Sequence, residues 1–537
     1  MKKFLHGFFN HRVDNLTVTN LYSDVPVTNT RRHTGYSRLD LGLCPTPLLL
    51  IEFAPLNVLE SRILFLRPKG QQWRCRRNPF RFLSGMVLLL LLVQGCEQPP
   101  LAKRLQERGK LKVATVAGPL SCYLGEKGPA GLEYELVRRF AHELGLTPRF
   151  RVYPNRKAAM TAVQTGEEDM AAGFIIPRST DEHHYYLSNA LVQTLPSFAH
   201  SMGQSRFDPR TMQATPVVTP QDSYAQELLT HEQLTAYPLE GAAEESILAL
   251  VNLGIFDYSL TSVVQLKAHA NLLPRLVPGN TLEKPIGASW LFARFYDSSL
   301  RDRANHFLKH QEENGFLQHL RDKYIEKVPA YDYVTRRDFW KHVLDRLPKY
   351  KDLFKQAGKE TGIDWRLLAA IGYQESHWNE KAKSPTGVRG IMMLTQDTAR
   401  QQKISNRMDP KQSILGGARH LLWMEARVPD HIQGEDLLWF TLASYNIGYG
   451  HVEDARVLTQ RQGGNPDKWE DVRRRLPLLS QRKYYSTLKH GHARGGEPVA
   501  YVENIRYYYR LLVYWDNAER GLDCTSETPQ RRLALKN

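Results

Sequence analysis

Residues 369–378, AAIGYQESHW, place one carboxylic acid, Glu375, at the end of an otherwise apolar helix. Asp364 is a favourable N-cap, and apolar or small residues then recur at helical spacing as far as Ile371, four residues before Glu375. A glutamate on an apolar face can keep its proton near neutral pH and donate it, which is what cleavage of a glycosidic bond requires. The competing interpretation is a solvated glutamate where the helix emerges, which is the commoner case for an isolated glutamate.

Two later segments favour the chemical interpretation. Residues 384–395, SPTGVRGIMMLT, predict a Gly- and Pro-punctuated loop entering an apolar stretch, and residues 443–450, ASYNIGYG, predict a helix end that breaks into a polar turn. In this order after a Glu-Ser pair, they resemble the goose-lysozyme-like domain of the soluble lytic murein transglycosylases, whose motifs are an ES pair, a G-hydrophobic-M segment and an AYNxG segment. The resemblance extends to DWRLLAAIGYQESHW, RLPLLSQRKYYS and YVENIRYYY and covers most of residues 349–517.

The resemblance implies a role for each residue that matches a motif. Glu375 would be the sole catalytic acid and base, and Ser376 beside it would position the carboxyl group or the sugar. The other implied substrate-binding residues are Gly390, Ile391 and Met392 on the cleft floor, Tyr445 and Asn446 against the glycan, and Tyr501, which would help to position it. The chain departs from the family pattern at Met393, where many relatives have Gln, and at Ser444, where alanine is commoner.

The implied reaction is a lyase reaction on peptidoglycan by an exo- or endotransglycosylase. One carboxyl group protonates the oxygen between N-acetylmuramic acid and N-acetylglucosamine, then removes a proton from the muramic acid 6-hydroxyl, which closes onto C1. The product is a 1,6-anhydro sugar, and no water is consumed. No metal or organic cofactor is implied, and the adjacent His183 and His184 would point apart on a strand rather than form a ligand pair.

Two other functions remain open from the residues alone. A muramidase-type hydrolase of the same fold would need a second acid, for which Glu360, Asp364 and Glu425 are available. A non-enzymatic amino-acid or muropeptide sensor would bind its ligand in the preceding domain, and its transglycosylase-like domain would be inactive. The Glu-Ser pair counts against this function. The linked motifs favour the lytic transglycosylase over both.

The region before the catalytic motifs predicts an α/β fold. GKLKVATVAG reads as a buried strand, GLEYELVRRFAHELGL as an amphipathic helix and TPRFRVYP as a strand, and TAVQTGEEDMAAGFII repeats the helix, turn and strand order. Such alternation indicates a central sheet. These segments, with ASWLFARFYDSSLRDRANHFLKHQEENGFLQHLRDKYI, resemble the type II periplasmic binding proteins, a two-lobed family.

Arg178 is the candidate ligand residue of this domain. In that family a run of the type AGLxxxxER supplies an arginine to the carboxylate of a ligand, an effective bidentate contact. The matching segment here is AAGFIIPRSTDEHH, in which Arg178 falls two positions early and Thr180 holds the nearest equivalent place. The expected ligand is an amino acid or muropeptide released from the wall. The alternative is a binding fold that is retained as a spacer and regulator.

The segment 83–96 is interpreted as a bacterial export signal. An apolar run, residues 86–93, ends close to Gly95-Cys96 and follows four arginines: Arg74, Arg76, Arg77 and Arg81. The run is shorter than the roughly 20 residues of a transmembrane helix. VQGC resembles a lipoprotein cleavage box, which makes Cys96 a candidate lipidation site, with an uncleaved short anchor as the alternative. Glu97 does not resemble the aspartate that signals inner-membrane retention, so the expected location is the periplasmic face of the outer membrane.

Residues 1–82 do not fit this signal, because export signals begin a protein. We expect them to be an extension that is either absent from the natural product or disordered. A start at Met86 would discard the arginines, so we expect a non-Met start codon upstream of them.

The charge of the chain is consistent with a cell-wall partner. The 537 residues carry a net charge of +16, and the first 85 hold 13 Lys or Arg and 5 Asp or Glu, hence +8. The remaining excess suits approach to an anionic wall or to lipid headgroups. No recognisable nucleic-acid-binding motif accompanies it, so a nucleic-acid partner is not expected.

The predicted organisation has four parts after the extension and the signal. They are a non-catalytic solute-binding-like domain (100–327), a linker (328–348) that carries a helix, a mainly α transglycosylase domain (349–517) and a disordered tail (518–537). Cys122 lies in the first domain and Cys524 in the tail. No structural disulfide is therefore expected between them, although exported proteins can form disulfides.

Overall fold

The computed structural model describes residues 100–326 and 332–526. The first range is an α/β structure with a six-stranded, a five-stranded and a two-stranded sheet, and the second is helical, so the predicted fold class is confirmed. The predicted extension, the export signal and Cys96 lie outside the described residues.

Thirteen strands lie in the described part of the α/β domain. In chain order they are β1 (Lys110–Val116), β2 (Tyr123–Gly125), β3 (Gly128–Ala130), β4 (Thr147–Tyr153), β5 (Met170–Ile175), β6 (Tyr185–Leu187), β7 (Val192–Thr194), β8 (Pro196–Ser201), β9 (Val217–Pro220), β10 (Ala236–Leu239), β11 (Tyr258–Ser262), β12 (Leu276–Thr281) and β13 (Ile286–Ala293). The predicted strands at the start of this domain coincide with β1, β4 and β5.

The helices of this domain alternate with the strands. In chain order they are α1 (Leu101–Arg108), α2 (Leu132–Glu143), α3 (Arg156–Gln164), α4 (Tyr224–His231), α5 (Glu244–Asn252), α6 (Val263–His269), α7 (Ser299–Glu313) and α8 (Phe316–Arg321). Helix α2 follows the apolar periodicity of its sequence and buries Leu136, Val137 and Phe140. Its side chains pack in the core of the first sheet.

The two larger sheets define two lobes, and β2 and β3 pair in a separate two-stranded sheet. Lobe 1 has the strand order β4-β1-β5-β13-β6, with β7 beside β13, and β1 pairs in parallel with β4 and β5. Lobe 2 has the order β10-β9-β11-β8-β12, with β9 parallel to β10 and β11. The chain enters lobe 2 between β7 and β8 and returns between β12 and β13. Because the chain crosses between the lobes twice, the lobes are joined by two connections, with a cleft between them.

The second described range is a helical domain. Its helices are α9 (Tyr333–Asp345), α10 (Leu347–Thr361), α11 (Trp365–Ser376), α12 (Gln396–Gln401), α13 (Pro410–Glu425), α14 (Gly434–Ile447), α15 (Tyr449–Arg461), α16 (Trp469–Val472), α17 (Arg482–Tyr485) and α18 (Gly496–Glu519). Helix α18 packs against both α11 and α14 and so holds these two helices together. The predicted linker helix corresponds to α9.

Two expectations about the C-terminal region are wrong. Cys122 and Cys524 form a disulfide across 402 residues of sequence, with a Cα–Cα distance of 5.7 Å. Helix α18 continues to Glu519, and the Cys524 side chain is buried, so residues 518–526 are folded onto the domain instead of forming a disordered tail. A polar composition suggested disorder, but the covalent link and the burial of the Cys524 side chain outweigh it.

Candidate active site

The end of α11 fixes the position of Glu375. Asp364 caps the first turn by accepting a hydrogen bond from the backbone N–H of Arg366, which confirms the predicted N-cap. After Ser376 the backbone turns left-handed at His377 and Trp378, with φ of 51° and 56°. The indole Nε1 of buried Trp378 donates to the carbonyl of Ala369 at 2.8 Å, folding the chain back on the helix. Glu375 therefore lies in the last turn, where the helix leaves the core.

Ser376 ties this helix end to the G-hydrophobic-M segment. Its hydroxyl donates to the carbonyl oxygen of Ile391 at 2.8 Å. The same segment packs tightly on the backbone of Arg407, because Gly390 has a φ of +82° and no side chain, and a Cβ there would lie 1.9 Å from the carbonyl oxygen of Arg407. The backbone contact orients the end of α11 next to Glu375. Contact between Ser376 and a sugar stays a prediction.

The side chains of Ile391 and Met392 lie deeper in the domain than the sequence predicted. Their side chains are fully buried, at 0% and 1% exposure, so they form the core beneath the site instead of the surface of a cleft floor. The backbone of Met392 accepts a hydrogen bond from the hydroxyl of Tyr445 at 3.3 Å and donates one to the hydroxyl of Ser413 at 3.2 Å. These residues contribute support and backbone polar groups to the site.

The last turns of α14 and the first turns of α18 add aromatic side chains. The rings of Tyr445 and Tyr501 lie nearly parallel, with centroids 6.5 Å apart. Asn446 follows at the surface and is exposed. The hydroxyl of Ser444, one of the two departures from the family pattern, bonds to the carbonyl of Phe440 and is buried, so it faces the core.

Glu375 has the electrostatic character that an acid catalyst requires. Its hydroxyl partner is Tyr501, whose O–H donates to Oε1 at 2.6 Å. The side chain keeps part of its surface open, yet surrounding protein desolvates the carboxyl, and this burial raises its pKa to about 7. The hydrogen bond from Tyr501 favours the charged form and holds the pKa lower than burial alone would. Glu375 can therefore both lose and hold a proton near neutral pH.

The three acids considered for a hydrolase do not join Glu375. Asp364 caps the opposite end of α11, roughly 16 Å away along the helix axis, and its carboxylate pairs with Arg366 at 2.6 Å. Glu360 accepts from the side chain of Gln356 on the exposed end of α10. Glu425 is buried in the last turn of α13. None of the three contributes to the pKa of Glu375, which burial and Tyr501 alone determine.

Arg178 lies in the cleft of the α/β domain, where its guanidinium already has a carboxylate partner. A cavity of about 380 Å³ is lined by residues of both lobes, including Arg178, Asp181 and His184. The Arg178 guanidinium donates to the Asp181 carboxylate at 2.8 Å, and Thr180 is exposed outside the lining. A ligand carboxylate would therefore compete with Asp181 for Arg178.

Sequence reasoning missed the polar side chains at the floor of this cleft. Arg156 of lobe 1 forms ion pairs with Glu244 and Glu245 of lobe 2. Arg156 begins α3 and the two glutamates begin α5, where acidic residues are ordinary helix-dipole partners, so their sequence context did not distinguish them. The only available signal was a lone arginine at a helix N-terminus, where a cation is unfavourable.

No metal site or membrane span is present in the two described ranges. There, no group of three or more His, Cys, Asp or Glu side chains is arranged to hold a metal ion. The helices of residues 100–326 and 332–526 include none that is long and apolar enough to cross a bilayer.

Comparison with known proteins agrees with this division of the chain. Residues 111–327 match the family of bacterial extracellular solute-binding proteins, family 3, and residues 352–468 match the transglycosylase SLT domain. The GluR0 ligand-binding core from Nostoc punctiforme in complex with L-glutamate aligns with 40% of this chain and 99% of its own, at 17% identity and a TM-score of 0.36. The two family matches define a class of protein in which a solute-binding domain precedes a transglycosylase SLT domain.

Relatives with both domains narrow this class. Proteins named membrane-bound lytic murein transglycosylase F from Alcanivorax borkumensis and Photobacterium profundum are 39% and 38% identical to this chain, covering 83% and 82% of it and 98% and 87% of their own length. A protein named membrane-bound lytic murein transglycosylase F 1 from Alkalilimnicola ehrlichii is 40% identical over 80% of this chain and 91% of its own. The chain belongs to the membrane-bound lytic murein transglycosylase F family.

Proposed function

We propose that this lytic transglycosylase cleaves the β-1,4 bond between N-acetylmuramic acid and N-acetylglucosamine of peptidoglycan, with Glu375 as its single acid and base. The observation that carries this proposal is a lone carboxyl group with a pKa of about 7, held by one tyrosine at the end of α11. A group with this pKa is nearly half protonated at neutral pH, which suits a catalyst that must give and recover one proton.

The proton follows a closed path in this reaction. Protonated Glu375 donates to the bridging oxygen, the bond from that oxygen to C1 of the muramic acid breaks, and N-acetylglucosamine leaves as an alcohol. The Glu375 carboxylate then takes the proton of the muramic acid 6-hydroxyl while O6 bonds to C1. Glu375 ends the cycle protonated, and water is not a reactant.

Tyr501 supports both halves of this cycle. Its hydroxyl stabilises the carboxylate that forms when Glu375 has lost its proton, because hydrogen bonds to a charged acceptor are stronger than those to a neutral one. Tyr445 lies beside it with a pKa raised well above its usual value by burial and by the Glu375 charge, so its hydroxyl stays protonated. We assign Tyr445, Asn446 and Tyr501 to the glycan-facing side of the site, and Ser376 to its orientation.

Glu375→Gln tests the assignment directly. The amide keeps the shape of the side chain but cannot donate and retrieve a proton, so turnover of purified peptidoglycan should fall by about 10²–10⁴-fold or more. Mass spectrometry of the wild-type digest should show anhydro ends, which are lighter than reducing ends by one water. Reducing ends would identify a hydrolase, and an undigested glycan would favour a sensor.

Glu360→Gln is the matched control, because Glu360 is an exposed acid of the same domain that bonds only locally to Gln356. It should retain wild-type turnover, and both variants should keep the wild-type melting temperature. Wild-type turnover in Glu375→Gln would contradict the proposal.

We further infer two properties that concern the rest of the chain. The protein is held at the periplasmic face of the outer membrane through Cys96, as the lipoprotein-like segment VQGC and the membrane-bound relatives suggest. The interlobe cleft takes an amino acid or a muropeptide in the part of its cavity beside Arg178, whose side chain is 30% exposed.

A further inference from the structure

The two lobes are joined at the cleft floor by one arginine. The Arg156 guanidinium, at the start of α3 in lobe 1, donates from Nη2 and Nη1 to the two oxygens of Glu245 at 2.7 and 3.2 Å. Nη1 also lies 3.3 Å from the Glu244 carboxylate. Both glutamates start α5 in lobe 2. This fork geometry is the bidentate arrangement that arginine makes with a carboxylate.

Lobe 1 itself completes the surroundings of this guanidinium. Nε donates to the carbonyl oxygens of Gly173 and Phe174 at 2.9 and 3.1 Å. Phe174 has a φ of +50°, an unusual backbone conformation for a side chain of its size that turns the end of β5 toward Arg156. The Arg156 side chain is 14% exposed. Two carboxylates and two carbonyls thus surround one planar cation.

The acceptors are themselves held in place. Glu244 is 5% exposed, and its carboxylate accepts hydrogen bonds from the hydroxyls of Thr261 and Tyr224. Such partners orient the acid before any cation arrives, as in a preformed binding site. The site therefore has fixed walls on both lobes.

Contacts at the rim of the cleft have the same direction of hydrogen-bond donation as the Arg156 pair at the floor. Lys157 pairs with Asp222 at 2.5 Å, the backbone N–H of Ser179 donates to Glu227 at 3.1 Å, and the Asn155 amide donates to the carbonyl of Gly241 at 2.9 Å. In each pair lobe 1 donates and lobe 2 accepts. The rim contacts reinforce the pair at the floor.

We propose that the floor of the interlobe cleft is a guanidinium-binding site and that Arg156 of the same chain is its occupant. Arg156 acts as an internal ligand that holds the lobes closed without an external molecule. The cavity of about 380 Å³ that remains borders this site, since Arg156 and Glu244 line it together with Arg178 and His184. An external ligand is thus confined to the outer cavity unless Arg156 leaves. This inference is independent of the role of Glu375.

Arg156→Ala in the full chain tests the proposal by emptying the site. The variant should melt at a lower temperature and should exchange backbone amide hydrogens faster at residues 172–176 and 241–247, which flank the site on the two lobes. Millimolar guanidinium chloride, far below denaturing concentrations, should restore most of both losses and give a binding heat in calorimetry. Urea, which is planar but neutral, should do neither, and the wild type should bind no guanidinium there.

Removal of the acceptors supplies the control. Arg156→Ala combined with Glu244→Gln and Glu245→Gln should not respond to guanidinium. If Arg156→Ala does not fold, Arg156→Lys replaces it, since a lysine keeps the charge without the fork, and the same two segments should then exchange faster than in the wild type. Unchanged exchange in whichever variant folds, or equal rescue by urea, would overturn the proposal.

Discussion

At the scale of single residues, two opposite influences set the acidity of Glu375. Burial penalises the carboxylate and raises the pKa, while the hydroxyl of Tyr501 stabilises the carboxylate and lowers it, with a net value of about 7. Neither influence requires a second charged side chain. A lone acid can therefore work here because its environment, and not a partner carboxylate, adjusts its pKa.

Tyr501→Phe should shift the pH dependence of activity upward. In the proposed mechanism the protonated form of Glu375 starts the reaction, so activity should be present below its pKa and should be lost as the pH rises through it. The variant lacks the hydrogen bond that favours the carboxylate, and such a bond is worth about 1.5–3 kcal/mol, so the loss should move up by about one to two pH units. The measurement is kcat/KM on peptidoglycan against pH.

Tyr507→Phe is the control for this shift. Tyr507 lies on the same helix and is buried, but its hydroxyl bonds to Asn271 of lobe 2 instead of Glu375. Its alkaline limb should coincide with that of the wild type. A limb that stays in place in Tyr501→Phe would mean that the tyrosine does not influence the proton of Glu375.

At the scale of elements, the site depends on how closely one loop approaches the end of α11. Gly390 lets this loop pack on the backbone of Arg407, since its φ is +82° and a Cβ there would overlap the Arg407 carbonyl. The carbonyl of the next residue, Ile391, then meets the hydroxyl of Ser376. Gly390 thus helps to place the loop that bonds to the end of the helix carrying Glu375.

Gly390→Ala should destabilise the domain and reduce turnover. A methyl group would overlap a backbone carbonyl that cannot move cheaply, in addition to the cost of a positive φ, so we expect a loss of roughly 2–3 kcal/mol in the free energy of unfolding. Gly387→Ala separates the two costs, because Gly387 has a φ of +84° with nothing within 4 Å of a Cβ. Urea unfolding of both variants measures the difference. Equal losses would show that the close approach is unimportant.

Local patterns in the sequence predicted these elements well. Strand β1, helix α2 and strand β4 follow apolar periodicity within one segment, and the cap at Asp364 is a contact between neighbours in the sequence. Glu375 was recognisable as an acid at the end of an apolar helix because that signal is also local. The family motifs were still needed to single out Glu375 from the other acids as a candidate catalytic residue.

Features that join distant residues were not predictable in this way. Tyr501 lies 126 residues from Glu375, and only the family resemblance brought them together. Ile391 and Met392 were placed on a surface because a motif records which residues matter but not which atoms face outward. The Arg156 site was missed because three charged residues in two helix starts look like ordinary solvated positions.

At the scale of the whole molecule, both lobes are attached to the helical domain. On lobe 2, the indole of Trp340 donates to the carbonyl of Asn271 at 2.9 Å inside a shared apolar core. On lobe 1, the amide of Asn517 donates to the carbonyl of Leu124 at 2.8 Å. Contacts of this kind are buried and specific, so the two domains should unfold together more than two domains on a free linker would.

The disulfide strengthens the attachment of lobe 1. Cys122 follows β1, and Cys524 lies five residues beyond the end of α18, next to the ring contact between Tyr123 and Tyr514. A link between residues this far apart in sequence restricts the unfolded chain strongly, and its removal typically costs about 2–5 kcal/mol. The link should form in an oxidising compartment such as the periplasm.

Reduction of protein prepared in an oxidising compartment should therefore lower its melting temperature and increase amide exchange at residues 520–526. The Cys122→Ser, Cys524→Ser double variant should show the lower melting temperature from the start and should not respond to reductant, which separates the effect of this bond from general effects of the reagent. Non-reducing peptide mapping checks the premise, since it should recover the two cysteines in one cross-linked peptide. Free thiols at both positions in protein prepared in an oxidising compartment would contradict the disulfide and would leave lobe 1 attached to α18 by noncovalent contacts such as the Asn517 bond.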